Sequence, residues 1–184
     1  MAKRTNWWLE GWKYEETLGP NGSRRKKLVY SGEYYTFGFA GKRLAALKAA
    51  TAALTVFLLA GYGLAFLYAQ TAMPRIFVGA CMLIVIPLMY LLIGVGCLMP
   101  VGEKLTYRDY RGSVIRIRWT SLTIAGLALV GLLGEAGYLL LAGGERLPRE
   151  LWWLAGIGIT FLCALALALL ERKHHPRLIP PELK

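Results

Sequence analysis

Residues that usually carry chemistry are scarce in this chain. It has 3 cysteines and 2 histidines. Cys81, Cys97 and Cys163 lie far apart, and none forms Cys-x-x-Cys, which excludes the thiol pair of a membrane disulfide oxidoreductase. His174 and His175 are adjacent, and neighbours in sequence do not readily turn toward one metal ion. No third histidine joins them. A Gly-rich phosphate loop, a Ser-His-Asp arrangement and a pair of intramembrane aspartates are all missing. These absences predict no cofactor, no metal and no enzymatic activity. Acidic residues are few as well: 11, against 22 Lys and Arg, for a net charge of +11. No nucleic-acid recognition motif accompanies that charge, so nucleic acid is not an expected partner.

Apolar residues, by contrast, make up 56% of the chain, more than the ~45–50% of a soluble domain. They fall into four long runs: Leu44–Ala69, Ile76–Met99, Trp119–Ala142 and Leu151–Leu170. As helices rising ~1.5 Å per residue, each can cross a hydrocarbon core of ~30 Å. The second and fourth runs contain no charge. The first holds Lys48 near its start, where a long stem can snorkel, and the third holds Glu135. One charge at mid-helix costs roughly 2.5–3.5 kcal/mol on insertion, so four such clean runs predict an all-α membrane protein, a four-transmembrane-helix bundle. The first run starts too late and runs too long for a removable signal peptide. It is expected to act as an uncleaved anchor.

Orientation follows from the basic residues, which collect on the cytoplasmic side. Lys3 to Arg43 before the first run, Lys104 to Arg118 in the middle connection, and Arg172 to Lys184 in the tail are rich in Lys and Arg. The other two connections hold only Arg75, and Arg146 and Arg149 offset by Glu145 and Glu150. Both ends and the Pro100–Arg118 loop are therefore expected in the cytoplasm, with the protein in a bacterial cytoplasmic membrane. Anionic lipid is an expected partner, at ~1 kcal/mol per basic residue near the surface. Tyr68, Trp119, Trp152 and Trp153 sit at run ends, where aromatic rings favour the headgroup region.

Three parts follow: a cytoplasmic segment 1–43, a membrane domain 44–170 and a tail 171–184. In the first, Trp12–Leu18 and Lys27–Tyr30 flank Gly19-Pro-Asn-Gly22. Pro followed by Asn-Gly is turn chemistry, because Asn and Gly tolerate positive φ. The flanks are aromatic and β-branched, so the segment predicts a β-hairpin on the cytoplasmic side, extended to a meander by a third strand at Glu33–Phe37. Arg24, Arg25, Lys26 and Lys27 fall at or just after the turn. They read either as a lipid or partner contact or as a solvated turn. The pattern Lys13-Tyr-Glu-Glu, Asn21-Gly and Lys26-Lys-Leu-Val-Tyr-Ser-Gly-Glu-Tyr-Tyr35 resembles small four-span bacterial membrane proteins of unknown function. The resemblance covers the first forty or so residues and the span layout. It implies that layout and carries no activity.

Internal repetition is a further expectation. Ala60-Gly61-Tyr62 and Ala136-Gly137-Tyr138 occupy the first and third runs, and Pro74-Arg75 and Pro148-Arg149 open the second and fourth. Such offsets suit two parallel helical hairpins, though Gly, Ala and Tyr are also common in such helices. Small residues, among them Gly94, Gly131, Gly134 and Gly156, suit close helix packing. Pro87 predicts a kink in the second run.

Glu135 is the only acid within a run, and an intramembrane carboxylate marks a functional site by default. Tyr62, Tyr90 and Tyr138 are its candidate partners. Two readings stay open. The first is a non-enzymatic accessory or scaffolding subunit of a membrane complex, contacting its partner through the hairpin and middle loop. The alternative is a small proton- or cation-coupled transporter or channel, a homo-oligomer using Glu135.

Overall fold

In chain order the computed structural model has β1 (Trp12–Leu18), β2 (Arg24–Tyr30), β3 (Tyr34–Thr36), α1 (Lys42–Leu67), α2 (Val85–Leu98), β4 (Lys104–Thr106), α3 (Tyr107–Tyr110), α4 (Arg116–Ala142), α5 (Leu147–Lys173) and β5 (Arg177–Ile179). It describes residues 12–18, 24–30, 32, 34–67, 79, 81–142 and 147–179. A π-helical stretch, Arg111–Ile115, joins α3 to α4 without a break, so the helix runs from Tyr107 to Leu141 over 35 residues. That helix, α1 and Glu150–Lys173 within α5 are long and apolar enough to cross a membrane.

The second run departs from expectation. Cys81 and Met82 are helical, Leu83 and Ile84 form a turn, and α2 begins at Val85 with only 14 residues. Pro87 explains the break. It has no N–H to offer the Leu83 carbonyl, and its ring crowds that oxygen. Regular bonding resumes at once, with Leu88 N donating to Ile84 O at 3.0 Å. At ~1.5 Å per residue α2 is about 21 Å long, short of a ~30 Å core. The third run also starts earlier than expected. Much of the expected Pro100–Arg118 loop is structured as β4, α3 and the π-helical stretch.

The helices pack in the order α1, α5, α4, α2, and α2 also meets α1, more lightly than the other neighbours meet. Neighbours are antiparallel, as close approaches between glycines show. A Cβ on Gly61 would meet the Ile159 side chain at 2.7 Å and Gly156 O at 3.0 Å. A Cβ on Gly156 would meet Ala65 N at 2.6 Å and Gly61 O at 2.7 Å. Between α2 and α4, Gly94 faces Ile117 and Arg116, and Gly131 faces Cys81. These are the contacts that small residues permit. The two Ala-Gly-Tyr copies do not share a role: Gly61 sits at a helix crossing, whereas Gly137 has open space beside it.

Leu58, Ile84, Leu91, Ile117, Ile124 and Leu167 fill the core. Buried Thr51, Thr55 and Thr160 donate to the carbonyl four residues earlier, so no hydroxyl is stranded. Outward, α2 exposes Ile86, Met89 and Ile93, and α4 exposes Leu133 and Leu140. A helix apolar all round suits lipid contact.

The strands form two sheets rather than one meander. β1 and β2 pair antiparallel from Trp12↔Tyr30 to Leu18↔Arg24, as the turn chemistry predicts. The expected third strand leaves the hairpin. β3 instead pairs antiparallel with β4 (Tyr35↔Leu105) on one side and β5 (Tyr35↔Leu178) on the other. This sheet joins the segment before α1, the connection after α2 and the tail after α5. The expected turn, Gly19-Pro-Asn-Gly22, lies outside the described residues, as does Tyr68.

Candidate functional site

Two polar clusters sit at opposite ends of the helix row. At the end away from the three-stranded sheet, Glu135 of α4 is fully buried and Glu150 of α5 is 1% exposed. The helix packing brings them together. Gly131 lies against the Trp153 ring, 3.5 Å from its would-be Cβ. One turn along α4 and one turn back along the antiparallel α5, Glu135 faces Glu150. No oxygen of either carboxyl has a hydrogen-bond partner among the described residues.

Cys81, buried beside Gly131, is the next titratable neighbour of Glu135. The Tyr62 hydroxyl of α1 donates to the Cys81 carbonyl at 3.2 Å. Tyr62, Ala65, Phe66, Cys81, Met82, Trp153 and Ile157 line a cavity of about 20 Å³, room for one water. All four elements of the row thus contribute: Tyr62 from α1, Cys81 just before α2, Glu135 from α4 and Glu150 from α5.

Of the expected partners of Glu135, Tyr62 lies close, through Cys81. Tyr90 is 54% exposed on α2. It falls between the Cys81–Gly131 and Gly94–Ile117 contacts, well away from Glu135. Tyr138 is half-buried on α4, three residues from Glu135. Trp153 is a correction too. It was expected as an interface anchor, yet it is 2% exposed and packs inside the bundle, while Trp119 and Trp152 are exposed as anchors should be.

Glu150 does not stand out in the sequence. An acid in the first turn of a helix is ordinary, because it favours the helix field, and its neighbours Arg146 and Arg149 made it look like part of a charged loop.

The second cluster lies at the sheet end. The rings of Tyr35 and Tyr110 stack at 4.2 Å, 9° from parallel. The Tyr110 hydroxyl meets His175 Nε2 at 3.1 Å, and His174 Nδ1 lies 3.1 Å from Leu170 O, at the end of α5. Phe39 packs edge-on to the His174 ring. The histidine pair thus fastens the tail to α3 and to the segment between β3 and α1. Among the described residues no group of three metal-ligating side chains converges. Glu171 is 1% exposed, again without a hydrogen-bond partner.

Thr106 starts α3 through a capping box: its hydroxyl accepts from Asp109 N, and the Asp109 carboxylate accepts from Thr106 N. Lys48 does not snorkel freely. Its ammonium donates to Met99 O at 2.8 Å and to Val101 O, closing the end of α2 against α1.

Arg24, Arg25, Lys26 and Lys27 lie within β2 rather than at the turn, because the ladder runs three residues further than expected. Lys26 is directly opposite Glu16 and both are exposed, which offsets part of the basic charge. Tyr14 on the partner strand is 68% exposed. The hairpin meets the rest of the chain where Tyr107 N donates to the Tyr30 hydroxyl at 3.1 Å.

No family model, curated protein or solved structure matches the chain.

Proposed function

We propose that this chain is a four-span protein of a bacterial cytoplasmic membrane, with both ends in the cytoplasm and no enzymatic activity of its own. It acts as an accessory or scaffolding subunit of a membrane complex. Strand pairing supports four crossings. β3 precedes α1, β4 follows α2 and β5 follows α5, yet all three share one sheet. A chain that crosses along α1 must cross back before β4, and the α4–α5 hairpin must do the same before β5. The segment ending in α2 is the return path, although α2 alone is short. The concentration of Lys and Arg at the sheet side supports placing that side in the cytoplasm.

The hairpin carries the accessory reading. An isolated two-stranded hairpin is marginal in water, and this one pairs with no third strand among the described residues. Its Tyr14 is exposed and β2 is basic. A module of that kind gains stability from a partner with apolar and acidic character. Extraction in mild detergent, followed by identification of copurifying proteins, tests this. A stoichiometric partner is expected from the full chain and not from a chain lacking residues 1–30. A pure homo-oligomer in both cases refutes the reading.

The buried carboxyl pair favours a second reading, a proton- or cation-coupled transporter. Flux into liposomes by the wild type, abolished by Glu135→Gln in protein that still inserts, would support it. Absence of flux from both would remove it.

A further inference from the structure

We propose that Glu135 and Glu150 together form a proton-binding site, in which Glu135 holds the proton and donates it to the Glu150 carboxylate. The site stands on the packing of α4 against α5, and it holds whether or not the proton goes on to cross the membrane.

Four carboxyl oxygens are shielded from solvent here, and none has a donor among the described residues. Two carboxylates side by side out of water repel each other, and each keeps an uncompensated desolvation cost. A cation must therefore fill the site. The other titratable groups facing it from the packed elements are Cys81, next to Glu135, and Tyr62, whose hydroxyl is already engaged with the Cys81 carbonyl. Neither is cationic. Among the described residues no third metal-ligating side chain completes a metal shell. A proton is the cation that two carboxyls can hold unaided: one becomes a donor, the other remains the acceptor, and a charge-assisted hydrogen bond forms between them.

The two positions are not equivalent, and this assigns the proton. Glu150 lies in the first turn of α5, where unsatisfied backbone N–H groups and the helix dipole favour negative charge. Glu135 lies in the third-last turn of α4, with no such help. Glu150 therefore keeps the charge and Glu135 the proton. The bond ties α4 to α5 near their connection. Removal of the proton leaves two facing carboxylates and drives those helix ends apart.

Infrared spectroscopy of the full chain in liposomes at neutral pH tests the site, with Glu171→Gln as background to remove the third buried carboxyl. The background protein should show a protonated-carboxyl C=O band. Adding Glu135→Gln should abolish that band. Adding Glu150→Gln should retain it but shift it to the frequency of a weaker hydrogen bond. No protonated band in the background protein, or a band that either added substitution leaves unchanged, overturns the proposal. Where Glu135→Gln does not fold, the background protein alone is titrated. Its band should give way to carboxylate bands as pH rises, and a pH-independent spectrum overturns the proposal equally.

Discussion

The crossing of α1 and α5 predicts opposite outcomes for two glycines on one helix. At Gly156 an added Cβ meets only backbone: Ala65 N at 2.6 Å, Gly61 O at 2.7 Å and Ala65 Cα at 2.9 Å. No side chain can rotate away, so the helices must part. Raising the shortest contact from 2.6 Å to 3.4 Å, where ordinary packing begins, moves them by about 0.8 Å. A gap of that size forfeits a quarter to a half of each dispersion contact along the seam. Overpacking of this kind costs about 1–3 kcal/mol, while exchange of Gly for Ala in a helix returns up to about 1 kcal/mol. Gly156→Ala should therefore destabilise by up to about 2 kcal/mol. Gly158, half a turn on, has nothing within 4 Å of its would-be Cβ, and Gly158→Ala should be neutral or stabilising by up to about 1 kcal/mol. Equilibrium unfolding of both variants in mixed detergent micelles measures the difference. Equal stabilities, or a stabilised Gly156→Ala, would refute the crossing as described.

Three further outcomes follow from the same structure. Lys48→Met strands the Met99 and Val101 carbonyls; loss of these charge-assisted bonds should cost about 1–3 kcal/mol in the same unfolding assay. A double-mutant cycle of Tyr35→Ala and Tyr110→Ala should return a coupling of about 0.5–1.5 kcal/mol for their stacked rings, and a coupling of zero would separate β3 from α3. Single cysteines replacing Thr71 and Gly144, in a chain with its own cysteines removed, should react with an impermeant maleimide only from outside the cell, and reaction of Thr71→Cys only from the cytoplasmic side reverses the orientation.

Long-range tertiary contacts set the limit of what the sequence reveals. The runs at α1, α4 and α5 are legible because lipid demands about twenty apolar residues, whatever the neighbours are. The hairpin is legible because Asn-Gly chemistry is local. The break before α2 is legible in kind from Pro87, though not in its place at Leu83–Ile84. β4 and β5 are not legible: Lys-Leu-Thr and Arg-Leu-Ile are three residues each, too short to show a period, and they become strands only because β3 lies between them. Glu135 stands out by composition alone. Its partner does not, since only the burial of Glu150 in the packed helices shows that it is turned inward.

The three-stranded sheet has a consequence for how the chain is made. β3 leaves the ribosome first and lies at the centre of the sheet, but β4 follows roughly 70 residues later and β5 roughly 140. At about 5–20 residues per second, β3 waits on the order of 10 s for its second neighbour. Both its edges are open until β4 arrives, and one stays open until β5 does; an unpaired edge is a template for wrong pairing. Only three residues long, it offers little to pair with. The last strand can dock only after α5 has been inserted, so closure of the sheet records that every helix before it has reached its place, and a chain stalled in insertion would be left with an open central strand for quality-control proteases to find.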